Sequence, residues 1–204
     1  MGSPEPRDRP HLVQQAQRVP AAGREIGRFE LHRHDGPDAQ KSLRIETLLR
    51  QQPAHALEIG LGGLLLPHAR RKGCQLFTAD MKVRIDHDSG SWFYYPDLVL
   101  ACDPTDREPL YVRRPCLLVE VLSPSTEHID TREKLLAYRL LPSMREYLLL
   151  RQDSLQADLY QRAADGRWQH QRLTAPGDVL TLECLGAHVT LGEIYVDLAD
   201  LSVA

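Results

Sequence analysis

Alternating and continuous apolar runs predict most of the strands in this chain. Residues 74–85 alternate apolar and charged positions, which is typical of a strand pair or one kinked strand that is partly exposed. Residues 92–101 read as one further strand. Residues 116–122 are apolar at nearly every position, which indicates a central strand covered on both faces. Shorter strands are predicted at residues 147–150, 157–161 and 168–173, with turns between them.

Two segments have helical spacing. Residues 55–70 predict a helix that ends at Gly73. A second helix begins at Asp130, with Glu133 three residues later as in a capping box, and stops before Pro142. The order of helix, strands, helix and strands indicates a mixed α/β sheet, followed by a C-terminal antiparallel meander.

The N-terminal part shows no such pattern. Residues 1–40 contain scattered prolines and arginines without a sustained period, so we expect a weakly structured segment. Residues 41–204 are expected to form one domain. Residues 42–50 fit either a short strand or a helix, and the apolar spacing does not decide between them.

Composition narrows the class of protein. The chain lacks an apolar run long enough to cross a membrane and lacks a secretory leader, so we expect a cytoplasmic protein with no membrane partner. The net charge of −3 argues against tight, sequence-independent nucleic-acid binding by the whole surface, although a local basic surface such as Arg113-Arg114 remains compatible with it. The four cysteines form no zinc pattern, and the three that lie among apolar neighbours are expected to act as small hydrophobic residues.

Glu120 is the most informative residue, because it lies inside the apolar run 116–122. A carboxylate in a buried strand is costly unless it is paired or binds a metal. Asp97 follows Pro96 at the start of the preceding apolar run and is a candidate partner. Magnesium prefers hard oxygen ligands and retains several waters, so Asp97, Glu120 and the backbone carbonyl of Val121 would suffice to hold it.

Lys134 and Tyr138 lie one turn apart on the second helix and share a face. The ammonium group could orient an attacking water or neutralise charge on a phosphate. The alternative is that Glu120 and Lys134 form a buried structural ion pair. Ser125 and Thr126 could hydrogen-bond to the site or a phosphate, or serve only as loop and cap residues.

Several motifs resemble the Uma2 family of restriction-endonuclease-like proteins in the PD-(D/E)XK nuclease superfamily. They span roughly residues 53–200 and comprise Tyr95-Pro96-Asp97-Leu98-Val99, Leu118-Val119-Glu120-Val121-Leu122-Ser123-Pro124-Ser125-Thr126, Asp130 with Arg132-Glu133-Lys134 and Tyr138, and Arg145-Glu146-Tyr147. The resemblance implies a restriction-endonuclease-like fold with a mixed central sheet flanked by helices, and Asp97 and Glu120 as metal-binding acids. Leu122 occupies the usual position of the superfamily lysine, and the resemblance maps that lysine onto Lys134. Many such nucleases carry an extra acidic residue early in the chain, and Glu46 is the predicted counterpart here.

These features lead to one main hypothesis and two alternatives. The main hypothesis is a Mg²⁺- or Mn²⁺-dependent endonuclease that hydrolyses DNA, with Asp97, Glu120 and Lys134 as catalytic residues. The first alternative is a catalytically silent nuclease-fold protein that binds nucleic acid or a protein partner. The second is a hydrolase of another phosphate ester. Exposed edge strands also make a homodimer plausible.

Overall fold

The computed structural model describes residues 53–78, 80–87, 90–123 and 130–199. Within those ranges the helices are α1 (Pro53–Lys72), α2 (Asp130–Arg139), α3 (Leu191–Ile194) and α4 (Val196–Ala199). The strands are β1 (Gln75–Thr78), β2 (Lys82–His87), β3 (Gly90–Tyr94), β4 (Leu98–Ala101), β5 (Tyr111–Val112), β6 (Pro115–Leu122), β7 (Glu146–Arg151), β8 (Ala157–Arg162), β9 (Trp168–Leu173), β10 (Val179–Leu182) and β11 (Ala187–Thr190). None of the described helices is both long enough and apolar enough to span a membrane.

A six-stranded sheet in the order β1-β4-β6-β7-β8-β9 forms the centre of the fold. The β6–β7 pair is parallel and the other pairs are antiparallel. Strands β2, β3 and β5 form a second, three-stranded sheet, and β10 and β11 form a hairpin. The mixed sheet with flanking helices confirms the predicted α/β class, and the β7-β8-β9 meander confirms the predicted antiparallel C-terminal part.

Apolar layers cover both faces of the six-stranded sheet. On one face, α1 inserts Leu57, Leu61 and Leu65 against the sheet, and all three are fully buried. Burial of each such side chain contributes about 1.5–3 kcal/mol. On the other face, Ala137 and Tyr138 of α2 pack with residues of β2 and β5. The candidate residues Glu120, Lys134 and Tyr138 lie on this face, which α2 covers.

The alternation of β6 decides which way Glu120 points. Leu117 and Val119 belong to the apolar layer beneath α1, and Leu118 belongs to the layer beneath α2. Because successive side chains of a strand point to opposite faces, Glu120 points toward α2 with Leu118. Strand β6 lies between β4 and β7, so the prediction of a central strand covered on both faces is confirmed.

Residues 92–101 form two strands, so the prediction of one strand there is wrong. Strand β3 ends at Tyr94, and β4 begins at Leu98 in the other sheet. Pro96 lies between them, and a proline has no N–H to donate to a ladder. The chain therefore leaves one sheet and enters the other at residues 95–97. Pro96 does mark a strand start, as the sequence predicts.

Residues 74–85 also contain two separate strands, which do not pair with each other. Strand β1 pairs with β4, whereas β2 pairs with β3 and β5. Asp80, in the connection, has a positive φ of 60°. That left-handed residue turns the chain sharply from one sheet to the other.

The cysteines do not act as isolated small hydrophobic residues, so that prediction is corrected. Disulfides join Cys74 to Cys102 and Cys116 to Cys184. The first ties the end of α1 to the end of β4, and the second ties β6 to the connection between β10 and β11. Strand β4, which follows Asp97, and strand β6, which contains Glu120, are therefore each cross-linked to a neighbouring element. The predicted segment of residues 1–40 and the undecided residues 42–50 lie outside the described residues.

Candidate active site

Asp97 is positioned by the switch between the two sheets. Pro96 is buried and Asp97 is partly buried just before β4. The backbone N–H of Val121 donates to Oδ2 of Asp97 at 2.6 Å. Strand β4 begins at Leu98, opposite Val119, so the side chain of Asp97 takes the place of a strand partner for Val121. The carboxylate is thereby fixed beside the residue that follows Glu120.

Glu120 is 7% exposed and is held by two groups from α2. The hydroxyl of Tyr138 donates to Oε1 at 3.0 Å. Nζ of Lys134 lies 3.2 Å from Oε2 and forms an ion pair with it. Lys134 and Tyr138 are four positions apart, so both side chains leave the same face of the helix toward β6. Four sequence-predicted residues, Asp97, Glu120, Lys134 and Tyr138, thus lie together with the backbone of Val121.

Burial sets the protonation of the two acids. Desolvation raises the pKa of Glu120 to about 7, with the positive charge of Lys134 opposing this and the negative charge of Asp97 adding to it. Burial also raises the pKa of Asp97, against the Val121 hydrogen bond and the charge of Lys134. A divalent cation would reverse both effects, because direct charge attraction favours the ionised carboxylates. Burial raises the pKa of Tyr138 as well, so its hydroxyl stays a donor.

The carbonyl of Val121 faces the same side of β6 as its N–H. The carbonyls of Cys116 and Leu122 accept hydrogen bonds from Arg145 and Gln152, so the even-numbered residues of β6 bond toward β7. The odd-numbered residues, including Val121, bond toward β4. Pro96 lies on that side and has no N–H to offer. The carbonyl oxygen of Val121 is therefore directed to the region of Asp97.

A third acid, which sequence reasoning did not single out, comes from α1. Glu58 is only 12% exposed at its side chain, and burial together with the negative charge of Asp97 raises its pKa. Nδ1 of His55 lies 3.6 Å from Oε1 of Glu58. Helical spacing is the sequence signal that indicates the position of Glu58. Glu58 is three positions before Leu61 and seven before Leu65, which places it beside the buried stripe of α1.

Three further residues that the sequence predicts at the site, Ser125, Thr126 and Glu46, lie outside the described residues. Glu46 is the residue that the sequence predicts as an additional early acid. Within the described part of the chain, the acid that α1 brings close to Asp97 is Glu58.

The donor set fits magnesium better than zinc. Among the described residues, no cluster of three or more His, Cys, Asp and Glu side chains is arranged to hold a metal ion. A structural zinc site would require four such ligands. Magnesium retains several waters and needs only one or two carboxylates, so Asp97, Glu120 and the carbonyl of Val121 would be sufficient donors for it.

Comparison with known proteins agrees with the resemblance seen in the sequence. The model of the Uma2 family, described as "Putative restriction endonuclease", matches residues 43–192. An uncharacterized protein of Synechocystis sp. is 34% identical over 144 residues, which cover 70% of this chain and 74% of that protein. A second uncharacterized Synechocystis protein is 36% identical over 96 residues, covering 46% of this chain and 54% of that protein.

A solved structure has a similar fold. The crystal structure of "a putative nuclease belonging to DUF820" from Anabaena variabilis aligns with a TM-score of 0.56 and 12% identity. The alignment covers 72% of this chain and 82% of that chain. At this level of identity the likeness shows a shared fold.

Proposed function

This chain belongs to the Uma2 family, and we propose that it is a metal-dependent endonuclease that hydrolyses phosphodiester bonds of DNA. The observation that carries the proposal is the proximity of the two acids. Asp97, just before β4, accepts a hydrogen bond from the N–H of Val121, the residue next to Glu120, and its negative charge raises the pKa of Glu120. The fold shared with the Anabaena structure, titled "a putative nuclease belonging to DUF820", is compatible with this proposal.

Each residue of the site has a role in this proposal. Asp97, Glu120 and the carbonyl of Val121 would hold Mg²⁺ or Mn²⁺, with Glu58 close to Asp97 as a further acid. The bound ion supplies Lewis-acid polarisation of the phosphate and lowers the pKa of water. Burial raises the pKa of Glu120 to about 7, so a proton that this carboxyl group holds without the cation must leave when the ion binds.

Lys134 and Tyr138 act on the carboxylate and the phosphate. Tyr138 donates to Oε1 of Glu120 and fixes the plane of that carboxylate. The Lys134 side chain is 17% exposed, and its ammonium group lies 3.2 Å from Oε2 of Glu120. From that position it would neutralise charge that develops on the phosphate or orient the attacking water.

The experiment is cleavage of supercoiled plasmid DNA by the purified protein with Mg²⁺. We expect nicked and linear products from the wild type, and a loss of rate of at least about 100-fold in Asp97→Asn and in Glu120→Gln. Asp165→Asn, an exposed carboxylate in the connection between β8 and β9, is the matched control and should cut like the wild type. A wild type that leaves plasmid intact, or variants that all cut equally, would overturn the proposal.

The ion pair between Lys134 and Glu120 favours a second candidate function. Oε2 of Glu120 is paired with the ammonium group of Lys134, and Oδ2 of Asp97 accepts the N–H of Val121. Acids with such protein partners are expected in a purely structural ion pair. The second candidate is therefore a catalytically silent nuclease-fold protein that binds nucleic acid or a protein partner. Retained DNA binding without any cleavage in the plasmid experiment would select it.

Location and assembly are part of the same proposal. The sequence predicts a cytoplasmic location, and a cytoplasmic protein would have access to DNA. Disulfides are rare in the reducing cytosol, so the Cys74–Cys102 and Cys116–Cys184 bonds argue against this location. The homodimer stays a prediction.

A further inference from the structure

The three-stranded sheet has one face that is packed and one that is not. Val83 and Ile85 of β2 are buried in the layer beneath α2. By alternation, Lys82 and Arg84 point to the opposite, outer face. Arg84 lies directly across from Phe93 of β3, so Phe93 shares that outer face.

Basic and aromatic groups are interleaved on this outer face. Nζ of Lys82 lies 5.7 Å from the centre of the Phe93 ring. The guanidinium carbons of Arg84 and Arg113 lie 5.5 Å and 5.7 Å from the centre of the Tyr111 ring. The rings of Phe93 and Tyr111 meet edge to face, with centres 5.7 Å apart. These contacts join two rings and three cations into one patch.

The patch is open and positively charged. Phe93 is 42% exposed, and Tyr95, the residue after β3, is 52% exposed. Among the described residues, the acid that forms an ion pair on this face is Asp86, which lies 2.8 Å from Arg84. A second carboxylate, Asp106, accepts the backbone N–H of Arg113 at 2.8 Å, and the three cations of the patch exceed these two negative charges. The net charge of the chain is −3, so this is a local excess of positive charge on an acidic protein.

The patch runs into the candidate site. Phe93 and Tyr95 precede Asp97 in the same stretch of chain. Tyr94 points the other way, and its ring meets the ring of Tyr138 edge to face with centres 5.5 Å apart. Tyr138 in turn holds Glu120. One strand therefore places exposed rings on its outer face and supports the candidate catalytic carboxylate on its inner face.

We propose that the outer face of the β3-β2-β5 sheet, formed by Lys82, Arg84, Phe93, Tyr95, Tyr111 and Arg113, binds single-stranded DNA next to the site. Exposed rings flanked by cations suit unpaired bases and the phosphates between them. A duplex hides the faces of its bases, so it offers the rings nothing to stack on. The choice of DNA rests on the proposed function.

The test measures binding of a fluorescein-labelled oligothymidylate of about 20 nucleotides by fluorescence anisotropy, in EDTA so that no cleavage occurs. Phe93→Leu keeps an apolar side chain but removes the ring, and should weaken binding by roughly 5- to 100-fold. Phe93→Tyr keeps the ring and should stay within about twofold of the wild type. Thermal melts establish that each variant is folded.

Charge is tested separately from stacking. Lys82→Gln should reduce the slope of log affinity against log salt concentration by about 0.7, the value for one phosphate contact on a single strand. Arg71→Gln removes one charge at the far end of α1 from Glu58, and should leave affinity and slope unchanged.

Three results would overturn the inference: no binding by the wild type, equal binding by Phe93→Leu and the wild type, or tighter binding of a duplex or of oligouridylate than of oligothymidylate. Plasmid cleavage is measured on the same preparations. If the wild type cuts plasmid but Phe93→Leu binds oligothymidylate as tightly as the wild type does, the proposed binding surface is refuted and the nuclease activity is not. A protein that binds through Phe93 but never cuts would refute the nuclease activity alone.

Discussion

At the scale of single residues, Glu120 has the largest consequences for stability and chemistry. Its carboxyl group is buried in β6, receives the Tyr138 hydroxyl and pairs with Lys134. Burial nevertheless outweighs these partners, and the pKa is raised from 4.5 to about 7. The folded protein without a cation therefore keeps a proton on Glu120 under conditions in which the unfolded chain has released it.

This proton makes stability depend on pH. Between about pH 4.5 and about pH 7 the folded state binds the extra proton, so the contribution of Glu120 to the free energy of unfolding falls as pH rises, by about 3 kcal/mol in total. Glu120→Gln should remove that part of the slope in urea unfolding without divalent cations. Asp165→Asn, an exposed carboxylate, should keep it. Equal slopes in Glu120→Gln and the wild type would show that Glu120 does not titrate in this range.

The sequence indicates some of these residues and not others. Glu120 stands out because a charge inside an apolar run is rare, and Lys134 and Tyr138 follow from helical spacing. Glu58 does not stand out, because an acid on a helix is usually solvated. Its relevance depends on where α1 crosses β4, and that crossing is set by packing between residues distant in sequence.

At the scale of elements, the β10–β11 hairpin is fastened to the central sheet by Glu146. This residue of β7 is 1% exposed. Oε1 accepts the backbone N–H of Glu183 at 2.7 Å and the side-chain amide of Gln161 at 2.9 Å, and Oε2 accepts the N–H of Cys184 at 3.2 Å. The disulfide from Cys116 reaches the same turn.

Removal of this carboxylate should loosen the hairpin. Glu146→Ala leaves buried N–H groups without an acceptor, and we expect a loss of about 2–4 kcal/mol in the free energy of unfolding. Glu146→Gln keeps one acceptor oxygen and should lose less. Urea unfolding measures both, and hydrogen exchange should rise first at the amides of Glu183 and Cys184. A fully stable alanine variant would contradict this role.

The pattern of apolar residues locates most strands but cannot assign their partners. Strands β6 and β7 are recognisable because they are largely apolar. The largely apolar residues 92–101 predict one strand, although Pro96 and Asp97 divide them between two sheets. The disulfides escape prediction for a related reason, since Cys116 and Cys184 are 68 positions apart and meet only in the folded chain.

At the scale of the whole molecule, the candidate site lies where the two sheets meet. The chain passes from the three-stranded sheet into β4 at Pro96 and Asp97, and α2 closes over the neighbouring part of β6. The open aromatic and basic face of one sheet and the buried acids of the other are therefore connected by a few residues. In the proposed function, this arrangement separates binding of a nucleic-acid strand from the chemistry at the acids.

Binding of Mn²⁺, followed by electron paramagnetic resonance of the free ion, tests the central claim that Asp97 and Glu120 form a metal site. We expect a saturable site in the wild type and in Asp165→Asn, with affinity lowered at least about tenfold in Asp97→Asn and in Glu120→Gln. Near pH 7, binding should also release protons, because the pKa of Glu120 is about 7 when no cation is bound. A wild type that binds no Mn²⁺, or variants at both acids that bind it as tightly as the wild type, would contradict this claim.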